Sequence, residues 1–176
     1  AMSLHVPTLY HISFQEHPEA IWTPMAPAGN ADVTKSLYPE PDTPRICCSE
    51  TLEGCFMAVY PNVSAYFEDP KYKYPHMDFF YYCPVITRIH DKDVLTPEQL
   101  TERAYVWDAH VTREWDVLVP VKMLLSGKVR FHNTSKRKDW ITTHPFNDSK
   151  NPIRDVCPPI EIERLHWVNK PLSAQW

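Results

Sequence analysis

Polar and apolar positions first fall into a pattern at Leu9-Tyr10-His11-Ile12-Ser13, which predicts a short strand over 8–13. Neighbouring side chains in a strand point to opposite faces, so His11 and Ser13 share one face and Tyr10 and Ile12 the other. The pattern is lost from about 17 to 44, a stretch holding Pro18, Pro24, Pro27, Pro39, Pro41 and Pro44. Loops of that length inside a domain are usually functional or flexible. It returns at Arg45-Ile46-Cys47-Cys48, a second short strand, where Cys47 and Cys48 face opposite ways. Leu52, Cys55, Phe56 and Val59 then recur at helical spacing and predict a short helix. Ser49 is its expected N-cap, Glu50 and Glu53 suit the positive end of its dipole, and Pro61 ends it.

Phe79-Phe80-Tyr81-Tyr82-Cys83 and Val85-Ile86-Thr87-Arg88-Ile89 form the strongest β-prone run, interrupted at Pro84. Thr96-Pro97-Glu98-Gln99 is a helix start, with threonine capping, proline at the first helical position and Gln99 closing a capping box. That helix is expected to reach about Arg103. Glu114 to Val119 alternates, and two more strands are expected over 121–125 and 128–132, around Gly127. The chain is polar after His132 and punctuated by prolines from 151 onward. Helices long enough for crossover connections are scarce. The expectation is therefore an α+β fold: a mostly antiparallel, split β-sheet with a few short helices and long Pro-rich loops. One domain is expected over 4–176, with a core at 8–132 and a polar C-terminal extension at 133–176.

Composition narrows the function. With 176 residues, 43% of them apolar, and a formal net charge of −4, the chain reads as an ordinary globular domain. The charge gives no sign of a dedicated nucleic-acid binder. Only 3 glycines stand beside 18 prolines. No G-x-G-x-x-G and no G-x-x-x-x-G-K-[ST] occurs, which removes the usual dinucleotide fingerprint and the P-loop. The 5 cysteines include no C-x-x-C pair, so buried free thiols in a reducing compartment are expected. No apolar run approaches a membrane span, and Leu4 to Leu9 is broken by His5 and Pro7, unlike a signal peptide. A cytoplasmic protein with no membrane association is the expectation.

Four features could carry chemistry, each beside a plainer role. His11 and Ser13 could hydrogen-bond a polar ligand, or His11 could be a satisfied core histidine. Arg45 and Ser49 could hold a phosphate, or act as a surface arginine and a helix cap. Glu114, opening an apolar strand beside Trp115, could act as a general base or bind a hydroxyl, or be a strand-edge charge. Asp108, His110 and Glu114 could be drawn together as metal ligands, but nothing in a loop-to-strand passage requires it, and no metal is expected. Lys122, Lys128, Arg130, Lys136, Arg137 and Lys138 make a locally basic segment. It could meet nucleic acid or a phosphorylated ligand, although a solvated hairpin is the favoured reading.

Three motifs in order resemble the ADP-ribosyltransferase-like superfamily, in its His–Tyr–Glu branch. Leu9-Tyr10-His11-Ile12-Ser13 is similar to that branch's first strand motif, Y-H-x-[ST]. Arg45 to Ser49, followed by Leu52 to Val59, resembles its second strand and helix. Thr112-Arg113-Glu114-Trp115-Asp116 resembles the late strand that carries the catalytic glutamate. Small bacterial and phage-encoded proteins show a similar arrangement. The resemblance covers about 8–125 and implies an NAD-consuming transferase. His11 and Ser13 would hold the nicotinamide side of NAD, Arg45 and Ser49 would meet its phosphates, and Glu114 would be catalytic. NAD would be the substrate, with an unknown macromolecular acceptor. The branch expects a tyrosine in the second motif, where Cys47, Cys48 and Ser49 stand; Tyr60 is the implied replacement for stacking on nicotinamide. Thr112 stands where arginine-modifying relatives carry Glu or Gln, which argues against arginine as acceptor. The alternative is a non-catalytic phage or bacterial binding or inhibitor protein that recognises a partner or a nucleotide.

Overall fold

The computed structural model describes residues 5–26, 43–59, 69–86, 89–103, 105–106, 108–133 and 160–165. They form an α+β fold of two antiparallel sheets and short helices. In chain order the elements are β1 (His11–Ser13), β2 (Ile21–Trp22), β3 (Ile46–Ser49) and helix α1 over 52–59. Next come β4 (His76–Pro84), a 3-10 turn at Asp91–Asp93, β5 (Val94–Leu95), α2 (Pro97–Glu102) and α3 (Ala109–Thr112). The last are β6 (Glu114–Val117), β7 (Val121–Asn133) and β8 (Ile160–Leu165).

The larger sheet runs β1-β4-β7-β2, and β8 pairs with β7 as well. The smaller sheet runs β3-β6-β5. Strand β7 replaces the two separate strands expected around Gly127. A bulge explains the broken pattern: Tyr81 pairs with Gly127 but Tyr82 pairs with Leu125, leaving Ser126 extra. Pairing thereby shifts the odd-numbered residues of β7 from one face of the sheet to the other. Val129 and Phe131 join Met77, Phe79, Tyr81 and Ile12 under Leu52, Cys55 and Phe56 of α1. Val121, Met123 and Leu125 join Tyr82 on the other face, against Ile46, Cys48, Trp115 and Val117 of the smaller sheet. One strand thus serves two cores. Gly127 is glycine for a local reason: a Cβ there would lie 2.9 Å from the Tyr81 ring.

Three local expectations are corrected. Ser49 ends β3 and does not cap α1; Thr51 does, its Oγ1 accepting from Gly54 N at 2.9 Å. Pro84 closes β4 and does not split a strand, because it stands at the last paired position, where a missing N–H is tolerated. Ile160–Leu165, expected to belong to a polar extension, pairs with β7 from Lys128 to Asn133. Its Ile162 packs against the core under α1. The helix start at Thr96 is as expected: its side chain accepts from Gln99 N, and the Gln99 side chain accepts from Thr96 N.

Candidate functional site

The two sheets meet where bridges outside the named strands join their chains, Tyr10 to Ser49 and Met25 to Arg45. Tyr10 and Ser49 exchange both backbone hydrogen bonds, at 2.8 and 2.9 Å. Beyond that pair the chains diverge, β1 into the larger sheet and β3 into the smaller. A cavity of about 80 Å³ lies in the fork, roofed by α1. His11, Cys47, Ser49, Gly54, Thr112 and Glu114 are among the residues that line it.

Period-two alternation delivers these side chains. In the β3–β6 ladder Ser49 faces Glu114 and Cys47 faces Asp116, while Cys48 and Trp115 pair on the opposite face with Ile46 and Val117. The second set enters the core. The first set, extended by Arg45, makes a polar face beneath α1. All four residues of β6 are buried because both of its faces are covered.

His11 is oriented by a hydrogen bond from Nδ1 to the Cys47 carbonyl, at 2.6 Å. That bond places the proton on Nδ1 and leaves Nε2 as an acceptor. The Trp22 ring meets the imidazole edge-on at 5.0 Å. Burial holds the His11 pKa below its ordinary value, so the ring is neutral at neutral pH.

Ser49 Oγ donates to the Thr112 carbonyl at 2.7 Å, tying the end of β3 to the end of α3. Gly54 makes this approach feasible, since a Cβ there would fall 2.1 Å from that carbonyl and 2.2 Å from Ser49 Oγ. Arg113 then turns the chain from α3 into β6 in the left-handed region, at φ 57. That conformation is unfavourable for a residue with a Cβ by about 1 kcal/mol. Two ion pairs hold it, to Glu50 at 2.7 Å and Glu98 at 2.9 Å. Glu50 also accepts from Trp115 Nε1 at 3.2 Å. The turn aims Glu114, only 8% exposed, at the cavity.

Below Glu114 lies a fully buried charged group. Arg45 Nε stands 3.3 Å from Asp116 Oδ2. One donor atom each from Cys47, Glu114 and Asp116 fits within 4.8 Å. Such a set could share a proton or an ion, and the positive charge already beside it is Arg45. Burial pushes the Asp116 carboxyl up, offset by the polar groups of Glu114 and Cys47 and by the Arg45 charge beside it. Burial and the neighbouring carboxylates push the Cys47 thiol well above its usual range, and burial raises Cys55 to about 12. Neither sulfur is poised as a thiolate nucleophile.

The fork therefore brings together His11, Ser49 and Glu114. Ser13, on the same face of β1, is not among the residues that line the cavity; its Oγ lies 3.0 Å from His17 Nε2. Arg45 lines the floor of the polar face through its pair with Asp116, and no lysine or arginine is among the cavity's described lining residues. Tyr60, with Lys136, Arg137 and Lys138, lies outside the described residues. The bulge separates the basic segment: Lys122 falls on the face of the larger sheet opposite Lys128 and Arg130. Lys128 rests over the Phe80 ring at 5.1 Å, and Arg130 clamps Asp78 at 2.7 and 3.0 Å. His110 is exposed and lies 3.4 Å from Thr101 Oγ1. The polar partner that sequence reading missed is Asp116. Its signal was present, since Glu114-x-Asp116 on a strand puts both carboxyls on one face. A second hollow of about 280 Å³, lined by Tyr72, Tyr74, His76 and Asp78, is more open and gathers none of these groups.

No protein family, curated protein or solved structure matches this chain.

Proposed function

We propose that the fork between the sheets is an NAD site and that the protein cleaves NAD, passing ADP-ribose to an acceptor or to water. One observation carries this reading. His11, Ser49 and Glu114 come from three separate strands, 38 and 65 positions apart in the chain, and line a single cavity. They are three of the six residues expected at such a site; Ser13 and Arg45 are not among the cavity's lining residues, and Tyr60 lies outside the described residues. The neutral His11 presents Nε2 to accept from a ribose hydroxyl or the nicotinamide amide. Glu114, in a water-poor pocket, accepts from a ribose hydroxyl and stabilises the positive charge that develops as nicotinamide leaves. The C–N glycosidic bond breaks with its electron pair going to nicotinamide. A lone pair of the acceptor forms the new bond at the anomeric carbon, and the acceptor's proton passes to a base or to water.

A second reading keeps the site but drops the reaction: a binding protein that recognises a nucleotide. It is favoured because Arg45, the phosphate partner of the NAD reading, pairs with Asp116 at 3.3 Å and is not among the residues that line the cavity. One experiment separates the two. The purified protein is incubated with NAD, nicotinamide is followed by chromatography, and the melting temperature is read in parallel. Release of nicotinamide supports the enzyme. A raised melting temperature with NAD intact supports the binder. Neither response contradicts both.

A further inference from the structure

We propose that the hollow lined by Tyr72, Tyr74, His76 and Asp78 is a binding site for a quaternary ammonium group, held by aromatic rings beside a carboxylate. It is separate from the fork and does not depend on the NAD reading. Its four lining residues recur at every second position and enclose about 280 Å³. His76 and Asp78 belong to β4. Period-two alternation turns them to the face of the larger sheet opposite Met77 and Phe79, which enter the core beneath α1.

The rings are held in place before any ligand arrives. The Tyr72 hydroxyl donates to the His76 carbonyl at 2.5 Å, and the Tyr72 side chain packs against the core. Pro75 fixes its own φ and restricts the backbone of Tyr74 before it. The Tyr74 ring meets Tyr72 at 5.8 Å and 76°, and His76 at 5.5 Å and 60°. Rings inclined that steeply form a corner, suited to a rounded group, and not the parallel slot that clasps a flat base. Tyr74 is 63% exposed, so a ligand reaches its ring without displacing the chain. Walls already ordered cost little to order again on binding.

Charge selects a cation. Aromatic faces carry partial negative charge and attract one. Asp78 adds a carboxylate, which the Arg130 guanidinium holds below the usual carboxylate range and therefore anionic at neutral pH. No lysine or arginine is among the hollow's described lining residues, so an anion would meet no counter-charge in the walls. Arg130 also decides the kind of cation. Its fork occupies both Asp78 oxygens, at 2.7 and 3.0 Å, and offsets the carboxylate charge. A primary ammonium is strongly hydrated and needs several acceptors to replace its water. A quaternary ammonium has no N–H to satisfy and spreads its charge over methyl groups, which rings contact directly.

The test is a titration with choline chloride, followed by proton NMR of the Tyr74 and His76 rings, against sodium chloride at equal ionic strength. The second ligand is choline's uncharged analogue, with carbon in place of the quaternary nitrogen. Choline at millimolar concentration is expected to give a saturable shift of both rings, and the carbon analogue to bind at least about tenfold more weakly. Tyr74→Ala, read at His76, should weaken choline about tenfold, and Tyr74→Phe should retain it because the ring remains. Melting temperatures are measured alongside, and the exposed Tyr74 should change them little. The wild-type comparison of the two ligands needs no variant. No saturable shift with choline overturns the proposal. Equal binding of the carbon analogue also overturns it, since the hollow would then be merely apolar. So does unchanged affinity in Tyr74→Ala.

Discussion

At the scale of single residues, two of the three glycines are held by what lies above them. Alanine at 127 would push a methyl into the Tyr81 ring, 2.9 Å away. Alanine at 54 would meet the Thr112 carbonyl at 2.1 Å, and a backbone carbonyl yields less readily than a ring on a rotatable bond. Gly127→Ala is expected to lower stability by about 1–3 kcal/mol in urea titrations. Gly54→Ala is expected to lose more than Gly127→Ala, and the reverse order would contradict the packing described. His11 gives a pH test. Its pKa is depressed in the fold, so the unfolded chain binds more protons just below neutrality. Its contribution to stability is present above the ordinary histidine value near 6.5 and is lost as pH falls through the folded value. Proton NMR should find the His11 resonance titrating below that ordinary value; a normal or raised midpoint would mean the ring is not held as described. These details were only partly legible in the sequence. His11 and Glu114 showed through period-two alternation, which is local. Arg45 stood out as a phosphate ligand or a surface arginine, but its burial did not, because its partner Asp116 is brought to it by strand pairing across some seventy residues of chain.

At the scale of elements, the order of strands and helices was legible where local chemistry punctuates it. The Thr96 box and the helical spacing of Leu52 to Val59 are signals of that kind. Strand β8 was missed, although Ile160-Glu161-Ile162-Glu163 alternates, because the prolines around it read as a tail. The bulge at Ser126 was also missed. A pairing irregularity depends on the neighbouring strand and leaves no mark in one strand's own pattern. Both elements can be tested. Ile162 packs on the core beneath α1, and Ile162→Ala should destabilise by about 2 kcal/mol, the low end for an aliphatic truncation at a half-buried site. No measurable change would mean that β8 does not dock on β7. In the smaller sheet Arg45→Met would leave a buried carboxylate without its counter-charge, and a loss of about 3–5 kcal/mol is expected. The loss should grow as pH rises, since the uncompensated group is destabilising in its anionic form. A loss independent of pH would instead mark Arg45 as a packing residue.

At the scale of the whole molecule, the architecture explains why a site forms at the sheet junction. The chains of the two sheets are bridged at Tyr10–Ser49 and at Met25–Arg45, and the fork opens beside the first of these. The gap exposes the polar face of β3 and β6, and α1 covers it with a glycine at the point of closest approach. The same arrangement buries Asp116 and Arg45 and leaves Glu114 as the carboxyl that lines the cavity. No helix among the described residues is long and apolar enough to cross a membrane. The basic residues of β7 are divided between two faces, and among the described residues the fork brings His11, Ser49 and Glu114 together.

The direct test of this account is the rate of nicotinamide release from NAD by the wild type and by Glu114→Gln, with melting temperatures measured alongside. The account expects release by the wild type, a fall of ~10²–10³-fold in the variant, the scale of removing one preorganised electrostatic contact, and no loss of melting temperature. A variant that folds and releases nicotinamide as fast as the wild type would contradict it.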